Sequence, residues 1–405
     1  MCVYSGAMNP QPYLAALSVL TLLGGRAMAS SDQFTPVIAS ALTADARPFE
    51  GADGRLHLVY ELLLTNANAT PATLTKIEVV DGAQPSTVLA TFGAGDLVRR
   101  LRTTGSGAVE TATIEFNGSR LFLVDFTLDP GSNLPARLLH HIDLLGGATP
   151  GRRPGTPAAL SYTVAPIGIL RRLPEIGPPL RGNGWIAVNG CCGEGGAHRS
   201  TSMTVNGGLY YAQRFAIDWV RLDGTGRIVH GDPSDVRNYV GYGADILAVA
   251  DGTVVDVLNN LSDQAPGSMP DQNAITIDNV DGNHVVLDLG DGVFAFYGHM
   301  QKGSVEVAVG DRVRRGQVLG KLGNTGNTSA PHLHFHLMQD RSVLGSNGIP
   351  YVYSQIDLAG EVSPAQFAAA SELSGIWSKG LFRTPSPRHR EFPLDLNIIN
   401  FPEGR

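Results

Sequence analysis

The chain has 405 residues, 43% of them hydrophobic and 17% charged, and that length exceeds what one ordinary core accommodates. A formal net charge of -7 argues against a surface built to neutralise phosphates, so nucleic acid is not an expected partner. The 49 glycines and 25 prolines suit many short strands joined by turns better than they suit long helices.

In chain order, the apolar run Tyr13 to Leu23 and the small-residue pattern Ala27-Met28-Ala29 predict an export signal over residues 1–29. A buried N-terminal helix is the alternative. Cleavage would leave a periplasmic or extracellular protein, and no later run of about 20 apolar residues would anchor it in a membrane. Residues 30–150 read as a β-sandwich-like domain, because LHLVYELLLTN, TLTKIEVVD, TATIEFNG and SRLFLVDFTLD are β-branched and aromatic runs bounded by turn formers. His140 and His141 have no spaced ligand partners there and are expected to be structural or superficial. Residues 151–181, between Gly/Pro/Arg-rich stretches, are expected as a linker.

Strands resume in residues 182–345 at TVVDVL, ITIDN, HVVLDLG and VFAFYGHM, with turns at Asp251-Gly252, Asp281-Gly282 and Asp291-Gly292, which predicts an antiparallel β unit. Residues 346–405 read as a C-terminal extension, with one helix signal where Ser363 and Pro364 precede AQFAAASEL and an irregular tail from Thr384. Cys191 and Cys192 are adjacent, either free thiols or a vicinal disulfide.

The strongest chemical signal is His332-Leu333-His334-Phe335-His336, because alternation along a strand puts all three imidazoles on one face. A face crowded with groups titrating near neutrality is a poor core cover but a good metal surface. Upstream, Asp218 interrupts the apolar run Ala216-Ile217-Asp218-Trp219, and such a carboxylate needs either a metal or a cation such as Arg214 or Arg221.

Tyr297-Gly298-His299-Met300, the run Val309 to Gly320, Gly323-Asn324-Thr325-Gly326 and Pro331-His332-Leu333-His334-Phe335 occur in an order that resembles the core signature of the lysostaphin/LytM-type zinc endopeptidases. The resemblance spans roughly residues 182–339. It implies a small antiparallel β catalytic domain of the duplicated hybrid motif type with a groove, one Zn2+, and hydrolysis of peptide bonds in peptidoglycan or another Gly-rich peptide. By position it makes Asp218 and His334 metal ligands, and His299 and His332 the non-ligand histidines that act on water and stabilise the oxyanion. The fold class expected for the chain is therefore mainly β, a sandwich-like domain followed by that catalytic domain.

One departure stands out: the family carries His four residues before the ligand Asp, and this chain has Arg214, whose guanidinium stays protonated and cannot ligate. His198 is the expected replacement, since the Gly-rich segment Gly193 to Gly196 lets the backbone approach closely. His336, His230 and the Cys191/Cys192 pair remain alternatives. With no third ligand, the domain would instead be a degenerate one that binds peptidoglycan or activates another hydrolase.

Overall fold

A computed structural model describes residues 32–147, 157–267, 269–370, 375–377 and 380–402, so the expected export signal lies outside the described residues. The described residues from Thr35 onward form one compact unit. The chain is mainly β, in antiparallel sheets, as the sequence predicts. No helix among the described residues is long and apolar enough to cross a membrane.

The N-terminal part is a two-sheet sandwich. One sheet is built on Leu56–Asn66 paired with Ser119–Leu128, the other on Ala72–Asp81 and Arg137–Gly146. Leu58, Tyr60, Leu62 and Leu64 point into the core between the sheets with Ile77, Phe122 and Ile142. The opposite face of the Leu56–Asn66 strand is not solvated: Val59 joins Phe49, Trp219 and Phe335 in a second core, and Glu61 is fully buried. This two-sided burial explains why the run LHLVYELLLTN alternates only partly.

The expected linker needs correction, because Ala158–Ile169 is a strand paired with Arg137–Gly146 and belongs to the sandwich. Glycine and proline on either side hide its alternation, in which Tyr162, Ala165 and Ile167 are buried. A bulge opposite Leu138 to His140, with Ala165 at φ 49°, accommodates Pro166 within the strand.

The second part is organised by one long sheet. Its order across the strands is Arg312–Val313, Gly252–Leu258, Asn283–Asp288, Phe294–Met300, Leu333–Met338, Ile217–Arg221, Gly182–Val188, Asn397–Phe401, Ile356–Glu361 and Gly380–Arg388. The expectation of an irregular C-terminal tail therefore fails. Asn397–Phe401 pairs with both Gly182–Val188 and Ile356–Glu361, since Ile398, Ile399 and Phe401 have apolar cores to enter on either face of the sheet. The helix signal holds as Pro364–Ala369, where Ser363 and Gln366 form a capping box. The run ITIDN is not a strand: Asn279 receives the Thr276 amide at 2.7 Å and donates to the Ala274 carbonyl, which closes a turn and leaves Ile277 exposed.

Candidate active site

The Leu333–Met338 strand separates two chemistries. Leu333, Phe335 and Leu337 face the core, so His334 and His336 face the other way, beside the Asp218 strand on one flank and Phe296 on the other. Asp218 and His334 are direct cross-strand partners, which in an antiparallel pair places both side chains on one face. His334 Nδ1 lies 2.9 Å from Asp218 Oδ1. Opposite His334 on its other flank is Gly298, where a Cβ would come within 2.7 Å of the Phe296 ring.

His299 follows Gly298 and simple alternation would turn it away from His334. Its φ of 59°, a left-handed value uncommon outside glycine, and the register shift in the neighbouring strand pair redirect the ring. It reaches a centroid distance of 4.6 Å from His332 and 5.9 Å from His334. Its Nδ1 donates to the Thr325 carbonyl at 2.7 Å, which leaves Nε2 as an acceptor. His332 Nδ1 is held by the Ala330 carbonyl at 2.8 Å while Nε2 stands 3.3 Å from Asp218 Oδ1.

His198 arrives on the short helix Ala197–Ser200, and its buried ring lies edge-on to His334 at 4.8 Å. Nδ1 is fixed by the Ala216 carbonyl at 3.1 Å, which leaves Nε2 facing Asp218 Oδ2 at 3.4 Å. His198, Asp218 and His334 thus present one donor atom each within 4.8 Å of one another, all buried. Two imidazole nitrogens and a carboxylate are a donor set suited to zinc, and a carbonyl on the far nitrogen of His198 is the support such ligands usually have. His299, His332 and His334 also converge, sharing His334 with the first group.

Of the alternatives for a third ligand, His230 and the cysteine pair sit elsewhere. His230 is mostly exposed and pairs with Asp223 at 2.9 Å. Cys191 and Cys192 are joined in a vicinal disulfide, with Cys192 turned toward His57. His336 stands behind His334, its Nδ1 at 3.2 Å from His334 Nε2 and its own Nε2 buried without a partner. Arg214 pairs not with Asp218 but with Glu61 of the sandwich, and Arg221 lies over Trp185.

Burial alone would raise the Asp218 carboxyl, but His198 and His332, with hydrogen bonds from His332 and His334, hold it well below the usual carboxylate range. Burial pushes His299 and His336 well down and His334 down to about 4, so these rings are neutral at pH 7. For His332, burial is outweighed by Asp218 and the imidazole is raised. Asp281, whose carbonyl receives the His299 amide, is pushed up to about 7 by burial and by Asp218.

Sequence reading missed Asn189, which donates to Asp218 Oδ2 at 2.8 Å, and Glu61. Asn189 left no signal. Glu61 did, as a lone carboxylate inside an apolar run that must find a cation.

Residues 236–345 match the model of Peptidase family M23, and shorter stretches are similar to lysostaphin and related endopeptidases. His299, His332 and His334 fall inside that segment, while His198 and Asp218 precede it. A stretch of 58 residues is 48% identical to Glycyl-glycine endopeptidase ALE-1 of Staphylococcus capitis, over 14% of this chain and 16% of that one. Another of 57 residues is 42% identical to Peptidoglycan DD-endopeptidase ShyA of Vibrio cholerae serotype O1, over 14% of this chain and 13% of that one. The matches thus span a small part of these relatives' length. The solved catalytic domain of lysostaphin from Staphylococcus simulans is similar at 24% identity, covering 41% of this chain and 84% of that one, with a TM-score of 0.21.

Proposed function

We propose that the protein is an exported zinc endopeptidase that cuts peptide bonds in bacterial peptidoglycan, with His198, Asp218 and His334 as metal ligands. The observation that carries this reading is the convergence of three buried donors, with Ala216 behind His198, Asn189 on Asp218 and His336 behind His334, beside two further histidines. A bound zinc would acidify water and polarise the scissile carbonyl. The chain's own groups do the rest. His299, neutral and tied by Nδ1 to Thr325, offers Nε2 to accept the proton of the attacking water. His332, whose protonated form Asp218 favours, offers an Nε2–H donor to the oxyanion that develops on the substrate. Asn189 holds the second oxygen of Asp218 and so fixes the carboxylate's rotation.

Peptidoglycan as substrate is suggested by the relatives, a glycyl-glycine endopeptidase and a peptidoglycan DD-endopeptidase. Export, with residues 1–29 as the signal, follows from where that substrate lies. The vicinal disulfide suits an oxidising compartment.

The test is digestion of purified peptidoglycan with and without a chelator, alongside elemental analysis. One zinc per chain, release of peptides, their loss on chelation and their recovery with added zinc are expected. Digests unchanged by the chelator would overturn the reading, and stoichiometric absence of zinc after supplementation would favour a binding role.

A further inference from the structure

We infer that Glu61, a residue of the N-terminal sandwich, is a positioning residue for the metal ligand His198; the inference rests on the function proposed above. Two arginines of the second part end on this one carboxylate. Arg199 donates from Nη1 to Glu61 Oε1 and from Nη2 to the carbonyls of Tyr60 and Val124 at 3.0 and 3.1 Å. Arg214 donates from Nε to Glu61 Oε1 at 2.9 Å, from Nη2 to Oε2, and from Nη1 to the Gly348 carbonyl at 3.1 Å. Relative exposures of 0% for Glu61, 1% for Arg199 and 3% for Arg214 leave no room for water to substitute for a lost partner.

The contacts close a ring around His198. Arg199 is its immediate neighbour on a helix of four residues, too short to hold its own shape. The imidazole itself hangs on the Ala216 carbonyl, two residues beyond Arg214. Both ends of the path from His198 to the Asp218 strand are therefore fastened to the same carboxylate. The glycine-rich segment before His198 is fastened to the sandwich as well, because Arg102 donates to the Glu194 carbonyl at 2.7 Å and Arg99 to its side chain at 3.1 Å. Without Glu61, the two guanidinium groups would repel each other and the Ala197–Ser200 turn would lose its anchor. The sandwich thus completes the metal site from outside the peptidase segment, and Arg214 serves as a strut where a ligand is expected.

The experiment measures zinc affinity of the full-length chain by competition with a chromophoric chelator, together with the imidazole resonances of the metal-free protein. A wild-type chain that binds no zinc would refute the proposed function, and this inference with it. Given a wild-type chain that binds, folded Glu61→Gln is expected to bind about 10- to 100-fold more weakly, the usual effect of losing a ligand's support. Its His198 resonances should shift while those of His299 and His332 stay in place. Leu144→Ala, in the sandwich core, controls for general destabilisation and should retain wild-type affinity. If Glu61→Gln does not fold, Arg199→Lys keeps the charge but lacks the fork that reaches three acceptors, and the same loss is expected. Wild-type affinity in a folded Glu61→Gln or Arg199→Lys chain overturns the inference, as does an equal loss in Leu144→Ala.

Discussion

His334 and Asp218 oppose each other across two strands, and His299 and His332 stand beside them with one ring nitrogen each committed to a carbonyl. Different losses follow from that division. His198→Ala, Asp218→Ala and His334→Ala should each empty the site, whereas His299→Ala and His332→Ala should keep zinc and lose roughly 10²-fold or more in rate, the scale of a base or an oxyanion donor. Zinc content measured beside peptide release separates the two groups; a full site in His198→Ala would return the third position to another residue. His336→Ala should weaken zinc by about 10-fold, since His334 would lose the ring against its Nε2. Much of this site was readable in the sequence, because an i, i+2, i+4 histidine run and one acid in an apolar strand each imply a partner. His198 was reachable only by elimination, and the supporting roles of His336 and Asn189 depend on tertiary distances that no local pattern encodes.

Among the elements, the strand Phe294–Met300 is constrained where it passes His334. Gly298 faces His334, and an added Cβ would meet Phe296 at 2.7 Å and the Asp281 carbonyl at 3.1 Å. Phe296 cannot retreat freely, since its ring already packs against His284, His334 and His336. Gly298→Ala should cost about 1–3 kcal/mol, as overpacking does, and should displace His334 enough to weaken zinc. Chemical denaturation and metal titration of that variant check both; a stability and affinity equal to wild type would show that the ring yields. Strands with long apolar and aromatic runs bounded by turn formers, such as Leu56–Asn66 and Ser119–Leu128, were legible to the residue even though burial on both faces blurs their alternation. Ala158–Ile169 was not, since Pro166 and the flanking glycines imitate a linker, and ITIDN imitates a strand because the Asn279 turn is a side-chain effect that apolar pattern ignores.

At the scale of the molecule, the sandwich and the second part share buried surface through Phe49, Val59 and Glu61, so the stability of one is expected to be felt by the other. His140, buried within the sandwich, offers a handle on this. It is buried between the Tyr60 hydroxyl and the Ala165 carbonyl, each at 2.8 Å, and burial pushes its imidazole from 6.5 down to about 4. An unfolded chain therefore binds a proton at this residue between pH 6.5 and 4 that the folded chain refuses. The sign follows: this contribution to stability is intact above about pH 6.5, falls as the pH is lowered, and has lost about 3 kcal/mol by pH 4, because each tenfold difference in proton affinity between the folded and unfolded chain is worth about 1.4 kcal/mol. Other groups titrate in the same range, so the measurement is a difference. Urea denaturation of metal-free wild type and His140→Gln at pH 7.5 and at pH 4.5 should give a stability gap between the two that narrows, or reverses, toward acid, because the variant has no imidazole to charge. A gap that stays constant with pH would mean that His140 takes up its proton without unfolding the sandwich around it.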